Sequence, residues 1–188
     1  MYISLIRRPQ VPMTGLLAFL AFSLLLLAAP AFSAQITPFI GAYSGDAEVD
    51  RDGELEKRDL SVEITETKDG FIVAWVSTRY RPDGRVKESS YEIEFQPTDR
   101  DGIYSAAQKR NVFGHSVQLD PMKGEPFVWG RITGDTLTVF SLFVAQDGGY
   151  QMQEYNRTLA DGGLDLNFKS IENGGAVTRV IDAFLARD

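Results

Sequence analysis

From residue 40 onward, apolar and polar side chains alternate in short runs that each end at a glycine-bearing turn. LSVEITET, residues 60–67, sets Leu60, Val62 and Ile64 on one side and polar residues on the other. The same strand length and strand chemistry recur in IGAYSGDAEV, FIVAWVSTRY, YEIEF, IYSAAQ, FVWGRIT, TLTVFSLFVA, YQMQEYNRTL and LDLNFKSI. A period of two places alternate side chains on opposite faces of a pleated strand, whereas a helix repeats every 3.6 residues. Between the runs stand Asp52-Gly53, Asp69-Gly70, Asp83-Gly84, Asp101-Gly102, Gly134-Asp135, Asp147-Gly148-Gly149, Asp161-Gly162-Gly163 and Asn173-Gly174-Gly175. Asp-Gly and Asn-Gly accept the positive φ that tight hairpins require, so the pattern predicts a meander of antiparallel strands.

A long meander must deal with its two edges, and closure removes them. The expected fold is therefore all-β, an antiparallel up-and-down β-barrel of about 8–10 strands, a size that leaves room for side chains or one small ligand. A two-sheet sandwich is the alternative, but its crossovers need longer connections than most of these turns provide. One connection is long: residues 109–126, KRNVFGHSVQLDPMKGEP, hold two prolines, two glycines and the chain's single histidine. A loop of this length is usually functional, for instance as a cover, or simply mobile.

The final segment reads two ways. In GGAVTRVIDAFL, residues 174–185, a helix gathers Val177, Val180, Ile181, Phe184 and Leu185 on one face and leaves Arg179 in water. A strand puts Arg179 in one row with Val177, Ile181, Ala183 and Leu185. β-Branched residues following a Gly-Gly turn favour the strand, and with it an inward arginine.

Residues 1–34 read as a Sec-type signal peptide: Arg7 and Arg8, no acid, an apolar stretch from Gly15 and small residues around AAPAFSA. Residues 35–188 are then a single domain, expected in the periplasm or secreted, with no stable membrane insertion once the leader is cleaved. The chain has 19 basic and 26 acidic residues; without Arg7 and Arg8, 17 bases face the same 26 acids, a balance of −9. Such a surface repels nucleic acid and anionic lipid headgroups. No cysteine is present, so neither a disulfide framework nor a lipidated cysteine enters the picture.

Two local patterns resemble the calycins, the group that holds lipocalins and fatty-acid-binding proteins. Gly41-Ala42-Tyr43 is similar to the Gly-x-Trp of lipocalins, with tyrosine in place of tryptophan. RTLADGGLDLNF and GGAVTRVID, within residues 157–182, are similar to the last strands of fatty-acid-binding proteins. Ile181 departs from that family, which carries a ligand-binding tyrosine there, and residues 50–58 are too short for its helical pair. Any cover would then come from residues 109–126. The lipocalin resemblance implies a structural plug, a last-strand cation (Arg179) stacked on Tyr43, worth about 0.5–2 kcal/mol as a cation–π contact. The fatty-acid-binding resemblance instead implies that Arg179 and Arg157 hold a carboxylate. Arg157 shares strand parity with Tyr155 and Leu159, which allows an inward aim.

Trp75, Trp129, Phe140, Phe143 and Phe168 are aromatic residues that either line a cavity or fill a core. The candidate ligand-binding set is Arg157, Arg179, Tyr155, Trp75, Trp129 and Phe168. Glu92 and Glu94 alternate with Tyr91, Ile93 and Phe95, so they belong to a solvated outer face. No catalytic constellation is evident: His115 has no second histidine or cysteine beside it, and no nucleophile motif occurs. No metal or cofactor is expected, and nothing identifies a protein partner. Two function classes follow. One is an exported lipocalin-like protein that binds an apolar or amphipathic small molecule, with a fatty-acid-like anion as one form. The other is a packed barrel acting through surface contacts as an envelope interaction protein or enzyme inhibitor.

Overall fold

The computed structural model describes residues 35–188 except 52–53, 82, 108, 111–115 and 118. The leader read over residues 1–34 and His115 therefore lie outside the described residues. Twelve strands follow a short 3-10 turn at Thr37–Phe39: β1 (Gly41–Arg51), β2 (Glu54–Glu66), β3 (Phe71–Tyr80), β4 (Val86–Pro97), β5 (Ile103–Ala107), β6 (Lys109–Arg110), β7 (Ser116–Val117), β8 (Phe127–Thr133), β9 (Thr136–Val144), β10 (Tyr150–Ala160), β11 (Gly163–Glu172) and β12 (Ala176–Arg187). Ten of them close into a barrel in the order β1-β12-β11-β10-β9-β8-β5-β4-β3-β2, while β6 and β7 form a separate ribbon. Chain neighbours are barrel neighbours throughout, apart from that ribbon. The sandwich alternative is excluded, since β12 returns to pair with β1.

Pairing follows the hydrophobic alternation. Val62 lies opposite both Tyr43 and Trp75, and Ile64 opposite Gly41 and Val73, so one parity of each strand faces the lumen. At one end this inward set is mainly apolar. Ile36, Phe39, Phe71, Phe95, Tyr104, Leu137, Leu164 and Leu185 are each no more than 1 % exposed. Phe71 stacks on Phe95 at 5.2 Å and meets Tyr104 edge-on at 4.9 Å. Burial of each such side chain contributes roughly 1.5–3 kcal/mol, which makes this end the structural floor.

β12 resolves the terminal segment as strand. Ser170 pairs with Arg179 but Ile171 pairs with Val177, so Thr178 is an extra residue at a β-bulge. The bulge shifts parity. Ile181 and Leu185 stay buried in the inward row with Arg179, whereas Val177 is turned out and 54 % exposed. Among the described residues, β5 pairs with β4 only over Glu94–Pro97, and the Val86–Ile93 part of β4 is paired on its β3 side alone.

Candidate functional site

The floor of the barrel is locked by a motif that the sequence pointed to with the wrong partner. Tyr43 is 1 % exposed and donates to the Phe39 carbonyl at 2.9 Å. The cation over its ring is Arg187, 4.9 Å from the centroid, not Arg179. Arg187 also donates to the Tyr43 hydroxyl at 2.7 Å, to the Ile40 carbonyl at 2.9 Å and to the Pro38 carbonyl at 3.2 Å. Register decides this: Tyr43 sits opposite Arg187. Arg179 lies eight residues away on the same strand, roughly 27 Å at about 3.4 Å per residue. Gly41 makes room for the lock, because a Cβ there would stand 2.9 Å from an Arg187 guanidinium nitrogen at a φ of +153°.

Towards the other end the inward rows change character. The β2 row that carries Ile64, Val62 and Leu60 continues to Arg58 and Glu56; the β3 row from Val73 and Trp75 reaches Arg79; the β4 row from Ile93 and Tyr91 reaches Lys87. Arg58 lies opposite Arg79, and Arg79 opposite Lys87. Glu56, 6 % exposed, reaches Arg58 at 3.5 Å and Arg79 at 3.6 Å. From across the barrel come Arg157 on β10 and Arg179 on β12. These five cations line a cavity lobe of about 350 Å³, together with Trp75, Tyr91, Tyr155, Leu166, Phe168 and Ile181.

Arg157 is the unusual member. It is 1 % exposed, and no carboxylate among the described residues pairs with it. Its Nε has no hydrogen-bond partner, and one terminal nitrogen reaches only the Tyr155 carbonyl at 3.5 Å. Its guanidinium lies 5.5 Å from the Trp75 ring and 5.7 Å from the Tyr155 ring. Burial pushes its pKa down to about 10, partly opposed by Tyr155, so it remains a cation at neutral pH. The Tyr155 phenol is pushed up to about 12 by burial, despite the nearby Arg157 charge, and is held neutral.

A second lobe of about 400 Å³ adjoins the first and shares Trp75, Tyr91, Gln153 and Tyr155 with it. Its other walls are mainly apolar: Ile93, Val128, Val139 and Phe143, with Ser141 and the exposed Glu92 as polar members. Leu119 and Pro126, from the long connection, line it as well. The boundary between lobes is aromatic, with Trp75 stacked on Tyr91 at 5.1 Å and tilted against Tyr155 at 5.3 Å. Tyr155 in turn meets Phe168 at 4.7 Å.

Of the six candidate ligand-binding residues, Trp75, Tyr155, Arg157, Phe168 and Arg179 thus converge on one lobe. Trp129 does not. It has the outward parity on β8 and stacks on Phe140 at 4.8 Å on the barrel exterior, with Arg131 5.2 Å from the Phe140 ring. The residues that the sequence reading missed are Arg58, Arg79 and Lys87. A signal was present for Arg58 and Lys87, since each continues the parity of an apolar row, Leu60-Val62-Ile64 and Tyr91-Ile93-Phe95; the run that holds Arg79 is apolar on both faces and gives none.

No protein-family model and no curated protein matches this chain. Among solved structures, the chain is similar to Rv2717c from M. tuberculosis, with 13 % identity, a TM-score of 0.49, and coverage of 85 % of this chain and 98 % of that one. It is also similar to the S-type phycobiliprotein lyase CPES from Guillardia theta, with 10 % identity, a TM-score of 0.34, and coverage of 81 % and 90 % respectively. The barrel assignment rests on the strand order described above: a closed antiparallel barrel of ten strands.

Proposed function

We propose that this protein is an exported carrier that holds an amphipathic small anion inside its barrel, with the charged group at Arg157 and the apolar part in the adjoining lobe. One observation carries the reading: a buried guanidinium with no anionic partner on the wall of a cavity. An isolated buried charge costs several kcal/mol, and that cost is sensible where a guest supplies the counter-charge. A hydrogen bond to a charged group is worth about 1.5–3 kcal/mol, so an anion seated there is stabilised as well as selected. The export part of the proposal is supported by the leader features of residues 1–34. The surface-acting alternative called for a lumen filled with side chains, and the two lobes weigh against it.

Tryptophan emission tests the proposal. Trp75 lines both lobes while Trp129 lies outside, so decanoate is expected to perturb emission and a Trp75→Phe variant to lose the response. Decanol and decyltrimethylammonium should bind at least tenfold more weakly than decanoate. Arg157→Met should abolish this preference and, by removing an unpaired buried charge, raise stability by about 1–3 kcal/mol. The sign with pH follows from the lowered pKa. Below about 10 the native state carries the full penalty, and as pH rises through 10 the native arginine deprotonates first and the penalty is relieved. The stability advantage of Arg157→Met should therefore hold from pH 5 to 9 and shrink above 10. Equal affinity for decanol and decanoate would overturn the proposal.

A further inference from the structure

We infer that the guest is a hydroxylated acid, with a hydroxyl close to its anionic end, and that Tyr155 and Gln153 select that hydroxyl. The inference rests on the carrier reading above and deepens it. β10 turns Gln151, Gln153, Tyr155 and Arg157 to one side, and the last three line the cationic lobe. A hydrogen-bonded ladder runs along this row. Tyr155 donates its hydroxyl proton to Gln153 Oε1 at 3.0 Å, Gln153 Nε2 donates to Gln151 Oε1 at 3.0 Å, and Gln151 Nε2 donates to Glu172 Oε1 at 3.5 Å. The polarity of the ladder is set from its outer end. A carboxylate accepts and does not donate, so Gln151 must turn its NH2 towards Glu172 and its carbonyl towards Gln153. Gln153 must then give its NH2 to Gln151 and its carbonyl to Tyr155. Burial holds the Tyr155 phenol neutral, so it keeps the proton that this last link requires.

Two groups are left over at the inner end. The Tyr155 oxygen has lone pairs that accept from no group among the described residues. Gln153 Nε2 has a second N–H beyond the one given to Gln151. Both side chains line both lobes, so these groups lie where a chain passes from Arg157 into the apolar lobe. The Arg157 guanidinium is 5.7 Å from the Tyr155 ring, which puts the contact on the first few carbons beyond the anion. A methylene there strips water from an acceptor and a donor and offers nothing in return. A hydroxyl donates to the tyrosine oxygen and accepts from the glutamine N–H, and it is the smallest group that does both. A site built to pair with a hydroxyl disfavours the analogue that lacks it, because its own polar groups are then left unpaired. The net gain from one such neutral hydrogen bond amounts to about three- to tenfold in affinity.

Isothermal titration calorimetry of the purified protein at pH 8 tests this, using decanoate, 2-hydroxydecanoate, 3-hydroxydecanoate and 10-hydroxydecanoate in one buffer. At least one of the 2- and 3-hydroxy acids should bind about threefold or more tightly than decanoate, and 10-hydroxydecanoate should not. Smaller preferences for both overturn the inference while leaving the carrier reading intact. Failure of all four acids to bind overturns both. An equal gain for 10-hydroxydecanoate would take the hydroxyl away from the lobe boundary and overturn the inference as well. Tyr155→Phe and Gln153→Met, each shown by thermal melting to be folded, should narrow the hydroxy-acid preference to below about twofold. An unchanged preference in either variant would overturn the assignment of the hydroxyl to this pair.

Discussion

Arginine serves opposite purposes at the two ends of β12. Arg187 has its partners built in: a ring, a hydroxyl and two carbonyls hold it over Tyr43, and none of these needs a guest. Arg179, eight residues earlier in the same inward row, is solvent-exposed at the mouth and lines the cationic lobe. Satisfaction of a charge by fixed groups makes it structural, and lack of such groups leaves it available. Arg187→Ala should therefore cost about 1–3 kcal/mol in urea unfolding, discounted because the side chain is partly solvated. Arg179→Ala should stay within about 0.5 kcal/mol, as expected for a surface site without buried partners. Loss of stability in the second variant but not the first would reverse the two roles.

At the scale of strands, closure is uneven. β1 pairs with β2 from Gly41 to Arg51, yet its recorded partners on β12 are Tyr43 with Arg187 and Ser44 with Ala186. The approach at that point is tight: a Cβ on Gly45 would stand 2.3 Å from the Phe184 carbonyl oxygen, so only glycine lets the two backbones come together. Beyond Gly45 the strands have no paired residues among those described. Amides of β1 past Gly45 that point towards β12 should exchange with solvent at least a hundredfold faster than those bonded to β2, as read by hydrogen–deuterium exchange. Equal protection on both sides of β1 would show a fully zipped seam. The β12 bulge belongs to this scale too, because one extra residue at Thr178 sends Val177 outward and leaves Arg179 facing in.

Across the whole molecule, charge and apolarity are sorted by depth and by end. The floor is aromatic and aliphatic, the opposite end is lined with cations, and residues 35–188 carry an excess of acid. On the proposed function such a lumen would concentrate small anions, and the acidic balance is expected to disfavour nucleic acid and anionic lipid. A guest that binds only the folded state stabilises it by mass action, about 2.7 kcal/mol at a hundred times its Kd. For a domain near 150 residues this corresponds to a rise in melting temperature of roughly 5–10 °C. Decanoate at that ratio should produce the shift in thermal melting, and 0.5 M sodium chloride should reduce it by weakening the ionic part of binding. A shift of the same size from decanol would place the gain in the apolar lobe alone.

The alternation of Leu60, Val62 and Ile64, repeated in each run and broken by Asp-Gly and Asn-Gly turns, was enough by itself to specify antiparallel strands, their approximate ends and which parity is buried, because side-chain direction in a strand is a local property. The same parity favoured an inward Arg179 and allowed an inward aim for Tyr155 and Arg157, while Trp75 and Phe168 were read as cavity lining or core; all five line the lobe, as do Arg58, Arg79 and Lys87 farther along the rows. Strand chemistry favoured strand over helix for the last segment without deciding it, and the structure has a strand there. What no local pattern contains is the offset between strands distant in sequence. Whether Tyr43 meets Arg179 or Arg187 depends on how β12 slides along β1, and either arginine satisfies the parity. Trp129, in a run where Val128, Gly130 and Ile132 turned out to be the buried set, could be placed only once β8 had neighbours. Register across a closing seam is set by the packing of the entire ring, so the lock, the two lobes and the buried guanidinium of Arg157 on the wall of one of them are decisions of the tertiary structure.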